Sequence, residues 1–142
     1  MTTTYGTATA LSGNFNSASN ASYTDIGTID FSTANVMDCF VEVTATAGST
    51  PSGNQQVVLY ARSSVDGTNF SDSGSSATIG NLRFVGTLSL TNTSAHRSPA
   101  LALAAAFGGN LPPKVTLTAY NDAGVSMAAS GCTGQYRTVG YS

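Results

Sequence analysis

The side chains able to do acid–base, metal or nucleophilic chemistry are few. They are one histidine, His96, two cysteines, Cys39 and Cys132, and the carboxylates Asp25, Asp30, Asp38, Glu42, Asp66, Asp72 and Asp122. A zinc site draws on Cys, His and carboxylate ligands. His96, Cys39 and Cys132 are far apart in sequence, so the fold would have to carry carboxylates to them. A Ser-His-Asp triad would have to use His96, and no Gly-x-Ser-x-Gly elbow accompanies it. Asp38 and Glu42 lie on one face of a predicted strand, four residues or roughly 13 Å apart at the strand rise. Glycosidase carboxylates work at about 5–9.5 Å, so these two do not make such a pair alone. Asp25 and Asp30 fall on opposite faces of one strand, and Asp66 and Asp122 fall in turns, where Asp bonds nearby backbone. The glycine-rich pieces, Ser73 to Gly80 and Gly108-Gly109, lack the Gly-Lys-Ser/Thr ending of a phosphate loop. These residues predict no catalytic, metal or cofactor site.

Composition narrows the classes further. The chain has 142 residues, 41% of them hydrophobic and only 8% charged, with a formal net charge of -2 and a pI near 4.9. This length fits one domain with a sizeable core. The charged fraction is far below the usual quarter, so Ser, Thr, Asn, Gln and Gly must carry solubility. Such a surface suits partial cover by other protein, because interface cores are poor in charge. Arg62, Arg83, Arg97, Lys114 and Arg137 are scattered rather than patched, which argues against nucleic acid as a partner. No apolar run approaches the roughly 20 residues of a membrane span, and Met1 to Phe15 has neither the basic start nor the apolar run of an export signal. Without export, Cys39 and Cys132 read as reduced, buried small hydrophobes; a bridge between two sheets is the other possibility.

The elements that would position any site read as strands. The stretch Gln55 to Leu90 holds a strand, an elaborated turn and a second strand. In the first, Val57, Leu59 and Ala61 alternate with Gln56, Val58, Tyr60 and Arg62. Asp66-Gly67 marks a turn, Ser71 to Asn81 a long polar loop, and Leu82, Phe84, Gly86, Leu88 and Leu90 one face of the second strand. Earlier strands are predicted at Tyr23 to Phe31, with Gly27, Ile29 and Phe31 in one set, and at Asp38 to Ala47, with Cys39, Val41, Val43 and Ala45 inward. Later ones are predicted at Lys114 to Tyr120, at Val125 to Ser130 after a four-residue loop Asn121 to Gly124, and at Gln135 to Tyr141. Pro99 to Phe107 reads as a short strand or a single helical turn. About eight short strands roughly ten residues apart argue an all-β sandwich or barrel. A jelly roll, two packed sheets of four strands, fits count and length. The expected core includes Val41, Val43, Val57, Leu59, Phe84, Leu88, Val115 and Leu117.

Residues 1–22 are small and polar around isolated Tyr5, Leu11 and Phe15. They read as a tail or as an extended arm, and the arm is the reading taken here, with residues 23–142 as the β-sandwich domain. Three apolar anchors cannot offset the entropy of ordering such a segment. The expectation is an arm that orders only by adding a strand to a neighbouring molecule, through Tyr5, Leu11 and Phe15.

The runs VVLYARSSVDGTNFSDS, FVGTLSL and LPPKVTLTAYNDAGVSM, spanning about Gln55 to Met127, resemble small virion structural proteins of tailed bacteriophages. Among these the chain most resembles capsid decoration, or cement, proteins with a jelly-roll-like β-sandwich. The resemblance implies a non-enzymatic protein made in the bacterial host cytoplasm and bound to the outer capsid surface. It implies the phage major capsid protein as partner and a homotrimer as assembly. Because its motifs mark strand ends, it carries over no site residues and no cofactor, and it implies no nucleic-acid, membrane or small-molecule partner. Another virion part (tail, collar or receptor-binding tip) and a carbohydrate-binding module share the same features. The last would need clustered aromatics; the chain has no Trp, but Tyr60 and Tyr120 point away from the expected core.

Overall fold

The computed structural model describes residues 1–33, 35–71 and 81–142. Along them run β1 (Thr3–Tyr5), β2 (Thr9–Asn14), β3 (Tyr23–Asp30), β4 (Val36–Ala45), β5 (Gln56–Ser64), β6 (Arg83–Ser89), β7 (His96–Arg97), β8 (Leu101–Ala102), a 3-10 turn at Ala104–Phe107, β9 (Lys114–Asp122) and β10 (Thr133–Tyr141). Residues 72–80, most of the expected Ser71 to Asn81 loop, lie outside the described residues, as does Ala34. The segment Pro99 to Phe107 contains both expected alternatives, a two-residue strand and then a single helical turn.

The pairing is that of one long hairpin. β2 pairs β10, β3 pairs β9, β4 pairs β7 and β8, and β5 pairs β6, all antiparallel. Folding this ribbon over itself adds β10 against β4 and β9 against β5. One sheet then runs β2-β10-β4-β7 and the other β3-β9-β5-β6, with β1 continuing the β2 edge and β8 the β7 edge. Two Greek keys closed in this way are a jelly roll. Alternation along the strands fills the space between the sheets. Val41, Val43, Val57, Leu59, Leu88, Val115 and Leu117 are all buried there, with Leu90 and Leu103.

Phe84 departs from the expected core: it is 58% exposed. The cause is a β-bulge. Gly86 stands opposite Leu59, but Phe84 stands opposite Tyr60, so Val85 is an extra residue in β6. One inserted residue moves the side chains beyond it to the other face. A second bulge acts on β3, where Asp25 faces Thr118 and Gly27 faces Leu117, leaving Ile26 as the extra residue. Ile26, Ile29 and Phe31 are therefore buried, while Gly27 is only half-buried.

The N-terminal segment is not a free arm. β1 and β2 pair with β10 of the same chain, and Leu11 and Phe15 are 8% and 1% exposed in its own core. The physical reason is that β10 without β2 would be an open sheet edge, and the chain's own N-terminus fills it with no association cost. Main-chain bonds extend the closure: Phe15 N–H donates to the Cys132 carbonyl, Ser17 N–H to Ala128 and Met127 N–H to Ala18. Gly134 makes room for Leu11, whose Cδ1 would lie 2.6 Å from a side-chain β-carbon there.

The expected return strand Val125 to Ser130 is also absent. β9 continues through Asp122, and the following loop makes one isolated bridge, Ala47 to Met127. The loop is held instead by buried Asn121, whose Nδ2 donates to the Ala18 and Val125 carbonyls and whose Oδ1 accepts from Ala123 N–H. Cys39 and Cys132 are free and buried. Thr138 faces Cys39 and Thr133 faces Thr44, so the two thiols sit about six residues, or roughly 20 Å, apart along the sheet. A disulfide requires Cα atoms within about 7 Å.

Candidate functional site

The outer face of the β3-β9-β5-β6 sheet is ordered in rows across the strands. One row is Tyr23, Tyr120, Val58 and Thr87; the next is Asp25, Thr118, Tyr60 and Phe84; then come Thr28, Thr116 and Arg62. The first two rows bring four rings together. Tyr23 lies 4.5 Å from Tyr120 and 6.2 Å from Tyr60, and Tyr60 meets Phe84 edge-on at 6.3 Å between centroids. Such spacings are those of favourable aromatic pairs. The rings bury Val58 on a face that would otherwise be wet. Burial and neighbouring phenols push the Tyr23 and Tyr60 hydroxyls up from their ordinary acidity, so both stay neutral donors.

Charges around this patch are matched locally. Arg62 Nη2 donates to Asp25 Oδ2 at 2.7 Å, and Asp25 Oδ1 accepts from the buried Thr118 hydroxyl at 2.7 Å. Lys114 lies 3.7 Å from Asp30. Asp122 Oδ2 accepts from the Asn54 and Gln56 amides at 2.9 and 3.1 Å. Thr28 and Thr116 share a 2.7 Å hydroxyl bond.

The opposite outer face, over β10 and β4, carries a groove walled by the broken edge strands. A cleft of about 310 Å³ is lined by Tyr5, Ala8, Phe40, Glu42, Ala100 and Arg137, among others. A second, of about 220 Å³, shares Glu42 and Gln135 with it and reaches Arg97 and Thr133. Glu42 Oε1 accepts from Gln135 Nε2 at 2.6 Å and lies 3.5 Å from Arg97.

Of the three residues expected to make contacts, only Tyr5 is on the surface, 62% exposed at this groove; Leu11 and Phe15 are interior. His96 bonds Asn92 Oδ1 through Nε2 at 3.0 Å rather than a serine or carboxylate. Among the described residues no three His, Cys, Asp or Glu side chains sit close enough to hold a metal, and no helix is long and apolar enough to cross a membrane. Asp66 is a turn keystone. Its Oδ1 accepts from the Ser64 hydroxyl and from the Thr68 and Asn69 N–H groups, and its Oδ2 from the Asn69 amide, which together hold the carboxyl well below its ordinary range. Sequence reasoning missed Tyr23 and Phe84 as partners of Tyr60 and Tyr120. Their registers depend on the two bulges, which leave no signal in the alternation.

No family model and no curated protein matches the chain. Among solved structures, a chain of Desmodium yellow mottle tymovirus aligns over 97% of this chain and 85% of its own, with a TM-score of 0.38 and 11% identity. A chain of infectious bursal disease virus, Gx strain, aligns over 98% of this chain but 39% of its own, with a TM-score of 0.28 and 14% identity. Both come from viruses. Likeness at this level carries no argument about what the chain does.

Proposed function

We propose that this chain is a structural virion protein that binds the outer surface of a tailed-phage head and stabilises it, as a decoration or cement protein. The observation that supports this reading is where the phage-like runs fall. The described residues between Gln55 and Met127 that carry the resemblance form β5, β6 and β9, with β5 paired to β9 without a break from Gln56–Asp122 to Ser64–Lys114 and to β6 on its other side, and the turns that follow β5 and β9. They make one contiguous framework rather than scattered matches. The role is non-catalytic, the partner is the major capsid protein, and the assembly is a homotrimer of closed symmetry. The groove at Tyr5, Phe40 and Glu42 is the contact surface this reading assigns.

The test uses heads purified without the protein. Added protein should pellet with them to a fixed stoichiometry, raise the temperature at which they release DNA, and sediment as a trimer when free. Protein left in the supernatant at saturating concentration sinks the reading. Labelling confined to tail or collar in electron micrographs would move the protein elsewhere on the virion.

A further inference from the structure

We propose that the outer face built by Tyr23, Tyr120, Tyr60 and Phe84 is a binding platform for an uncharged glycan. The proposal stands apart from the capsid reading, which uses the opposite sheet.

Three observations select the ligand. The first is apolar and planar character. Four rings lie within 4.5 to 6.3 Å of a neighbour, and Phe84 stands 58% exposed at the end of the row. Phe84 is on β6, the end strand of its sheet, and among the described residues no strand lies beyond it, so an elongated ligand can continue past the row on that side. The electron-rich ring faces attract weakly positive C–H groups, which a pyranose ring presents on its flat side.

The second is charge. Arg62 is paired with Asp25 and Lys114 with Asp30, while Asp122 is held by two amides. Arg83 stands opposite the buried Ala61, on the inward side of β6, so an ionic ligand laid on the outer face would find the counter-charges of that face already matched. A hydroxylated neutral ligand finds suitable partners instead: the phenols, the Gln56 and Asn54 amides beside Asp122, and the exposed Thr87 and Ser89 on β6. This mix of apolar floor and a few polar groups is the usual character of a small-ligand surface.

The third is area. Three of the four rings are already half-buried against each other, so the patch offers roughly a few hundred Å² of apolar surface at the 150–250 Å² of a whole aromatic side chain. A standard protein interface takes about 800 Å² from each partner. The patch suits a glycan chain better than a second copy of this protein.

The test is affinity electrophoresis of the full chain through gels containing dextran, galactomannan or a mixed-linkage β-glucan, with alginate as the acidic arm. Retardation by at least one neutral polysaccharide is expected. Phe84→Ala should weaken it about tenfold, about 1.4 kcal/mol, and Thr87→Glu should weaken it at least as much. Both positions are exposed, and thermal melts will verify that the variants fold. Tyr5→Ala, on the other sheet, should behave as the parent. The proposal is overturned if no neutral gel retards the protein, if alginate alone does, or if Phe84→Ala leaves retardation unchanged. A Phe84→Ala variant that changes sedimentation but not glycan retention would assign the face to a second copy and also overturn it.

Discussion

Replacing Phe15 by Ala separates an N-terminus that is part of the core from one that waits for a neighbour. Phe15 is 1% exposed, and its N–H is bonded to the Cys132 carbonyl. Truncating a fully buried Phe removes its transfer energy and leaves a cavity, typically about 3–5 kcal/mol together. The main-chain bond survives the change, so the loss is one of packing. A domain of this size is stable by about 5–15 kcal/mol, and the variant should lose a large part of that. With a urea slope of about 2 kcal/mol per molar, the unfolding midpoint should fall by about 1.5–2.5 M. The assay is urea denaturation followed by tyrosine fluorescence and circular dichroism, at several protein concentrations. The shift should not depend on concentration, because β2 pairs with β10 of its own chain. Tyr5→Ala, at an exposed position, should stay within about 0.5 kcal/mol of the parent. Deleting residues 1–19 should abolish cooperative folding. A Phe15→Ala protein with an unchanged midpoint that loses only self-association or particle binding would refute this reasoning and restore the free arm.

Three further outcomes are expected. Asn121→Ala leaves the Val125 carbonyl and the buried Ala123 N–H without their side-chain partner, while the Ala18 carbonyl keeps its bond from Met127 N–H; at about 1–3 kcal/mol for each group left unpaired, thermal unfolding should show a loss of about 2 kcal/mol or more. The Asp66 carboxyl is depressed on folding by its bonds to Asn69, Thr68 and Ser64. Its contribution is therefore full above the ordinary value near 3.9 and lost as pH falls through the lower folded value, and Asp66→Ala should flatten the acid limb of the melting-temperature profile below pH 4. Burial pushes the Cys39 thiol up to about 12, with the Asp38 carboxylate adding to it, and raises Cys132 as well; a thiol reagent at pH 8 should label neither in the native protein and both in guanidinium.

Much of this molecule was legible in its residues. The alternation of Val57-Leu59-Ala61, Cys39-Val41-Val43-Ala45 and Val115-Leu117-Ala119 assigned strands and their inner faces, because a two-residue period is a local property of backbone geometry. The strand spacing and polar turns pointed to an eight-position sandwich, and the structure is a jelly roll. What stayed hidden depends on partners distant in sequence. Leu11 and Phe15 sit among polar residues with no pattern of their own. Their burial follows only once β10 presents an edge and Gly134 a space. The aromatic face needs Val85 and Ile26 to be extra residues, and a bulge is set by the register of the opposite strand rather than by the residue that forms it. Cys39 and Cys132 could pair or not by sequence. The register of β4 on β10 separates them, because a sheet fixes distances along its strands that chain order does not contain.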